Sequence, residues 1–202
     1  FPQISPLPYR EAVIQAITDI EHRQVISRWC DSSGGAVCDI KTEDDISAAM
    51  LRDQRVYDFG DIAAERIYAA LCSLGGEAGW FTYNFLWKLR GLIDKIFGGY
   101  GLNRGRRDPL DLRVGDALDF WKVVDLKPNK RLLLLAQMKL PGKAWLEFAI
   151  DGHILTQTAH FYPKGIWGRL YWYSVLPLHS LVFRDLIKKI INRAREQAEH
   201  NA

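Results

Sequence analysis

Four β-prone runs crowd into residues 118–162, and the links between them are very short. They are Leu118–Leu126, Arg131–Lys139, Ala144–Asp151 and His153–Tyr162, with turn chemistry at Lys127-Pro128-Asn129, Pro141-Gly142 and Asp151-Gly152. Parallel strands need a crossover of about a dozen residues or more, so this spacing predicts an antiparallel meander. Such a sheet has an apolar face that something must cover. The C-terminus supplies the cover. Phe183, Leu186, Ile187, Ile190, Ile191, Ala194 and Ala198 recur at helical spacing. They predict a long helix from about Pro177, with Ile187 and Ile191 buried and Lys188 and Arg195 exposed.

Upstream, residues 7–28 read as a helix whose stripe is Tyr9, Val13, Ala16, Ile17 and Ile20. Ser32-Ser33-Gly34-Gly35 breaks it, and an Asp/Ser/Gly-rich linker is expected over about 30–48. This is the expected domain boundary: residues 1–48 form an exit segment plus linker, and 49–202 the domain proper. A short strand, Gln54–Phe59, then precedes two helices, about 62–74 and 83–97, each closed by a glycine pair. The expected class is α+β. One strand, two helices, a curved antiparallel sheet and a long C-terminal helix wrapped by it resemble the helix-grip (START/Bet v1-like) arrangement, which leaves a cavity between helix and sheet.

Composition removes several alternatives. The 27 basic and 24 acidic residues leave a net charge of only +3, with no basic stripe of the kind nucleic acid needs. Cys30, Cys38 and Cys72 form no C-x-x-C pair, so neither a metal site nor a disulfide framework is expected, and a reducing, cytoplasmic setting is. The chain opens Phe1-Pro2-Gln3 rather than with Met, as a processed product or the C-terminal part of a longer protein would. Its most apolar stretch, Leu170 to Phe183, is interrupted by Pro177 and His179 and falls short of the roughly 20 residues of a spanning helix.

Aromatic residues make up 12% of the chain and include seven Trp. Large rings line clefts as readily as cores, so a lined cavity is expected. Trp87, Trp121, Trp145 and Phe161 are its candidate walls. Period-2 alternation puts Trp145, Glu147 and Ala149 on one face of their strand. If that face looks into the cavity, Glu147 is a carboxylate with a raised pKa and a candidate general acid; the alternative is a solvent-face charge or a pair with Lys139 or Lys143. Gln157, among Leu155, Ala159 and Phe161, is placed to orient a ligand. His160 reads as a surface histidine. Ser174, His179 and Asp185 carry the letters of a triad without the strand-to-helix elbow a nucleophile needs. The loop Gly98–Gly105 follows a helix rather than a strand and reads as a stop and turn, not a phosphate cradle. Arg104, Arg106 and Arg107 have Asp108, Asp111 and Asp116 nearby for local ion pairs. Trp167, Tyr171 and Trp172 beside Arg169 suit a membrane surface or a docked domain.

Several long motifs point one way. They include Gly75-Gly76-Glu77-Ala78-Gly79-Trp80, Leu86-Trp87-Lys88-Leu89-Arg90-Gly91 and Gly115-Asp116-Ala117-Leu118-Asp119-Phe120-Trp121. Met138-Lys139-Leu140-Pro141-Gly142-Lys143-Ala144-Trp145, Gly168-Arg169-Leu170-Tyr171-Trp172-Tyr173 and Pro177-Leu178-His179 continue the set. From about residue 50 to 190 they resemble the DUF2867 domain of the START-like, polyketide-cyclase superfamily. The resemblance implies the C-terminal part of a YbjT-like atypical short-chain dehydrogenase/reductase protein. NAD(P) would then bind the upstream domain and no cofactor this chain. The expected role is a hydrophobic-ligand-binding domain accessory to that reductase. A cyclase- or hydrolase-like enzyme with a cavity carboxylate, or a docking domain, are the alternatives.

Overall fold

A computed structural model of the protein describes residues 6–21, 49, 51–75, 79–80, 92, 106, 108 and 111–199. The elements in chain order are α1 (Tyr9–Glu21), β1 (Leu51–Asp58), α2 (Ala64–Cys72), β2 (Ala117–Leu118), β3 (Trp121–Lys127), β4 (Arg131–Ala136), β5 (Gly142–Asp151), β6 (Ile154–Pro163) and α3 (Gly165–Glu199). The strands form one curved sheet in the order β1-β6-β5-β4-β3-β2, with every neighbouring pair antiparallel. The meander is thus as expected, and β1 closes its far edge against β6.

Turn chemistry explains the hairpins. Gly152 adopts φ +54° in the tight link between β5 and β6, a conformation that costs glycine nothing. Asn129 takes φ +58° between β3 and β4, as short polar side chains tolerate. The run Leu118–Leu126 is not one strand. Asp119, at φ +56°, turns the chain between β2 and β3. Its carboxylate also accepts the Trp80 Nε1–H at 2.7 Å, which anchors the turn to the chain after α2. Likewise β4 ends at Ala136 rather than Lys139.

The core lies on one face of the sheet. Val123, Leu132, Leu134, Leu146, Phe148, Ile150, Leu155 and Phe161 meet Phe183, Leu186, Ile187, Ile190, Ile191 and Ala194 of α3. Ile67, Ala70 and Leu71 of α2 pack into the same cluster. Ile187 and Ile191 are buried and Arg195 exposed, as the spacing predicts; Lys188 is half-buried. This is the helix-grip architecture.

The largest correction concerns the start of α3. The helix begins at Gly165 and runs 35 residues straight through Pro177. Proline removes an intrahelical N–H and crowds the carbonyl four residues back, so a helix start near it was the simpler reading. Here Pro177 and Tyr173 both sit on the exposed side, where water can take the Tyr173 carbonyl. Gly168 fixes the first turn. A Cβ there would lie 2.4 Å from the Pro141 carbonyl oxygen and 2.8 Å from Pro163 Cβ, so only glycine lets α3 approach the end of the β4–β5 link this closely. The first helix is shorter than 7–28: α1 ends at Glu21, and residues 6–18 are exposed throughout, the stripe of Tyr9, Val13, Ala16 and Ile17 included. The helix expected at 83–97 and the linker at 30–48 lie outside the described residues, Leu92 excepted.

Candidate functional site

Between the sheet and the first half of α3 lies a cavity of about 120 Å³. Its origin is a mismatch of volumes. Ala136, Ala144 and Ala159 are small where the sheet meets α3, while Trp121, Phe161, Trp172 and Phe183 hold the walls apart. Tyr171, Val175, Leu178, His179 and Val182 complete the helical side, and Met138 and Leu140 close the β4 end. The rings are stacked in sequence. Phe161 and Trp172 lie 5.6 Å apart at 12°, His179 sits edge-on to Trp172 at 5.4 Å, and Phe183 is 4.6 Å beyond. An apolar hollow near this size stays dry and takes a benzene-sized guest.

A line of polar side chains flanks the cavity on the same face of the sheet. Alternation along β1 turns Asp53 and Arg55 inward and leaves Arg52, Gln54 and Val56 exposed. Arg55 Nη2 donates to Asp53 Oδ2 at 3.2 Å and lies 3.1 Å from Oδ1 of the same carboxylate. Burial raises the Asp53 pKa above the usual carboxylate value, against the opposing charge of Arg55. Arg55 pairs across the ladder with Gln157 of β6, two residues from Ala159. Gln157 is fully buried, and neither its amide nitrogen nor its oxygen has a hydrogen-bond partner among the described residues. Arg55 Nε, Trp121 Nε1 and His179 Nδ1 are likewise buried without partners among the described residues. The His179 pKa falls from 6.5 to about 4, first because burial disfavours the imidazolium and second because of the Arg55 charge.

The opposite face carries a second polar cluster. Arg131 Nε donates to Glu147 Oε1 at 2.7 Å, and Arg131 Nη1 to Asp125 Oδ2 at 3.1 Å. His160 Nε2 lies 2.8 Å from Glu147 Oε2. Since the carboxylate is ionised and can only accept, that nitrogen carries the proton. The hydrogen bond from His160, and then the charge of Arg131, outweigh burial and hold the Glu147 pKa below its usual value.

The expected site residues therefore divide. Trp121 and Phe161 line the cavity, and Gln157 stands on the same face beside it. Trp145 borders the cavity along β5, but its ring packs against Leu133, Val124 and Leu135 on the other face. Glu147 is on that other face too, with a lowered rather than a raised pKa, so it is not the cavity acid. His160 is buried instead of a surface residue. Ser174 donates to the Tyr171 carbonyl at 2.7 Å, and Asp185 pairs with Lys189 at 3.5 Å, which excludes the triad. Arg106 donates to the carbonyls of Asp108 and of Leu74, the latter at 2.8 Å. Trp87, Arg104, Arg107 and the loop 98–105 lie outside the described residues. Among the described residues no cluster of His, Cys, Asp or Glu could hold a metal ion.

Three members of the site were not among the expected ones: Asp53, Arg55 and His179. Starting β1 at Leu51 instead of Gln54 would have put the first two on the face of Leu51 and Tyr57. Extending α3 back through Pro177 would have put His179 on the inner stripe with Trp172 and Phe183.

Residues 46–186 match the family described as "Protein of unknown function (DUF2867)". The chain belongs to the DUF2867 family. The match takes in β1 to β6, both sides of the cavity and the polar line beside it. Among solved structures, this DUF2867 chain is similar to CalU16 from Micromonospora echinospora, with 14% identity, 73% of this chain and 85% of that chain covered, and a TM-score of 0.29. A likeness of that degree transfers neither a ligand nor an activity. No curated protein matches the chain.

Proposed function

We propose that the DUF2867 domain binds a small hydrophobic or aromatic molecule in the cavity between the sheet and α3. The observation that carries this reading is an apolar hollow together with Gln157, a buried amide two residues along β6 from the lining residue Ala159, with no partner on either atom among the described residues. Leaving a buried polar group unpaired costs about 1–3 kcal/mol. A binding site offsets that cost when its occupant supplies the missing donor and acceptor. The ligand class that fits is a flat apolar body with one polar end. The body lies among Phe161, Trp172 and Phe183; the polar end reaches toward Gln157 and Arg55.

The resemblance of the chain to the C-terminal part of reductase proteins supports an accessory role, in which the ligand is held for, or regulates, an NAD(P)-binding domain upstream. In that reading the boundary falls near residue 48, and the exposed stripe of α1 belongs against the upstream domain. NAD(P) stays with that domain: dinucleotide binding needs a glycine turn from strand to helix, and the sequence contains no G-x-G-x-x-G.

Native mass spectrometry of the purified chain tests the site. The expected result is a co-purifying small molecule, lost in Ala159→Phe, which fills the hollow, and weakened in Gln157→Leu. An empty wild type that also fails to take up indole or naphthol, judged by tryptophan fluorescence, would leave the hollow as a packing defect. A parallel titration with NADPH, followed by nicotinamide fluorescence, is expected to show no saturation.

One observation favours a second, enzymatic reading. Asp53, not Glu147, is the carboxylate on the cavity side, and burial raises its pKa against the charge of Arg55. A carboxylic acid there could donate a proton to a bound ligand. Asp53→Asn would abolish turnover of any substrate found by mass spectrometry while leaving its binding within about threefold; unchanged turnover removes this reading.

A further inference from the structure

The first half of α3 is apolar on two sides. Its inner side, with Trp172 and Phe183, is spent on the core and cavity. At 100° per residue, Ile166, Trp167, Leu170, Tyr173, Leu178 and Leu181 form a second stripe, opposite the first and about four turns long. Among the described residues nothing packs on this stripe: Ile166 is 81% exposed, Trp167 75% and Tyr173 62%. A helix of a soluble domain ordinarily turns a polar side to water. Exposed apolar surface on this scale marks a contact.

Charge says what kind of contact. From Gly152 to Arg184 the sequence contains no Asp or Glu. The charged residues of that span are Lys164, Arg169 and Arg184, and all three are exposed. Arg184 caps the far end of the stripe and Arg169 flanks it. A second copy of the chain across a two-fold axis would bring these cations toward their own equivalents, and the nearest acidic residue of α3, Asp185, is already paired with Lys189. Lipid phosphates would answer them directly. Tryptophan and tyrosine beside basic side chains are the chemistry of the headgroup boundary. Among the described residues no helix is long and apolar enough to cross a membrane, so the contact is along the surface.

We propose that this outer stripe docks the domain on a membrane of anionic phospholipid. Ile166, Trp167, Leu170 and Leu181 enter the boundary between headgroups and acyl chains. Lys164, Arg169 and Arg184 meet the phosphates. The docking does not depend on the cavity being a ligand site.

Flotation of the full chain with vesicles tests it, at low and at physiological salt. The wild type is expected to float with vesicles of equal phosphatidylcholine and phosphatidylglycerol, roughly a hundredfold more tightly than with pure phosphatidylcholine, since three basic residues contribute. Trp167→Glu with Leu170→Glu is expected to lose binding more than tenfold with an unchanged melting temperature. Should that double variant fail to fold, Trp167→Phe serves: brominated acyl chains are expected to quench the wild-type emission and to lose most of that effect in the variant. Three results would overturn the proposal: no flotation of the wild type with anionic vesicles; equal flotation of the double variant; or a wild-type dimer in sedimentation that the double variant splits, which would make the stripe a protein interface.

Discussion

On the outer face of the sheet, Glu147 is held by Arg131 at 2.7 Å and by His160 at 2.8 Å. On the inner face, the Gln157 side chain of the neighbouring strand has no hydrogen-bond partner among the described residues. Both are polar residues on central strands; Gln157 is fully buried and Glu147 half-buried. The difference lies in whether the fold answers them. A carboxylate met by an arginine and a histidine is complete and lends rigidity to β4, β5 and β6. An unmet amide beside a hollow is a cost that packing alone would have removed. Charge density by itself would have pointed to the wrong face. Unsatisfied hydrogen-bonding capacity points to the cavity.

The contrast can be tested from its strongest consequence down. Truncating the inner face should cost most: Phe148→Ala is expected to lose about 3–5 kcal/mol in urea unfolding, as a buried aromatic does, against less than about 0.5 kcal/mol for Val56→Ala on the exposed face of β1. Equal losses would mean that the core does not lie where the fold places it.

The next test is acid. His179 has a folded-state pKa of about 4 against 6.5 unfolded, so the unfolded chain takes up the proton first. Its contribution is whole above pH 6.5 and is lost as pH falls toward 4, on the order of 3 kcal/mol across that window. His179→Phe should flatten that limb of the stability–pH curve. A slope that survives the change would place the titrating group elsewhere.

Glu147→Gln is expected to cost about 1.5–3 kcal/mol at neutral pH, as the loss of a charged hydrogen-bonding partner does. Its pKa is depressed on folding, so the wild-type advantage is present above the usual value of 4.5 and disappears as pH falls through the lower folded-state value. A double-mutant cycle with Arg131→Met should recover most of the cost as coupling. Zero coupling would reduce the network to coincidence of position.

The smallest effect is the most diagnostic. Gln157→Leu should stabilise the fold slightly, by about 1 kcal/mol, because no hydrogen bond is lost and a buried unpaired amide is removed. It should nonetheless weaken ligand binding. A loss as large as that of Glu147→Gln would show that Gln157 is satisfied in solution, and the contrast between the faces would close.

Much of this fold is written in local chemistry. The β5–β6 hairpin is legible because Asp151-Gly152 sits between two alternating runs, and the second half of α3 because Phe183, Leu186, Ile190 and Ile191 recur on one face. The site is less legible for identifiable reasons. Alternation paired Trp145 with Glu147 and opposed both to Phe148, but it could not say which side α3 would cover when both sides carry large apolar groups. The inward half of β1 is Leu51, Asp53, Arg55 and Tyr57, and its charged members read as a solvent face. Pro177 read as a beginning because the sequence does not show that its side of the helix is wet. The polar line joins residues 53 and 55 of β1 to residue 157 of β6 and residue 179 of α3, and no local pattern connects those three elements.

That proline also limits how far the molecule can sink. Lacking an N–H at residue 177, α3 leaves the Tyr173 carbonyl without its i+4 donor, on the outer stripe. Dehydrating such a group in hydrocarbon costs roughly 2–7 kcal/mol. The stripe can therefore press into a bilayer only to the depth at which water still reaches Tyr173, the zone of glycerol and phosphate. Pro177 acts as a draught line. On a domain docked as proposed, it would hold a helix with two apolar sides at the interface rather than below it.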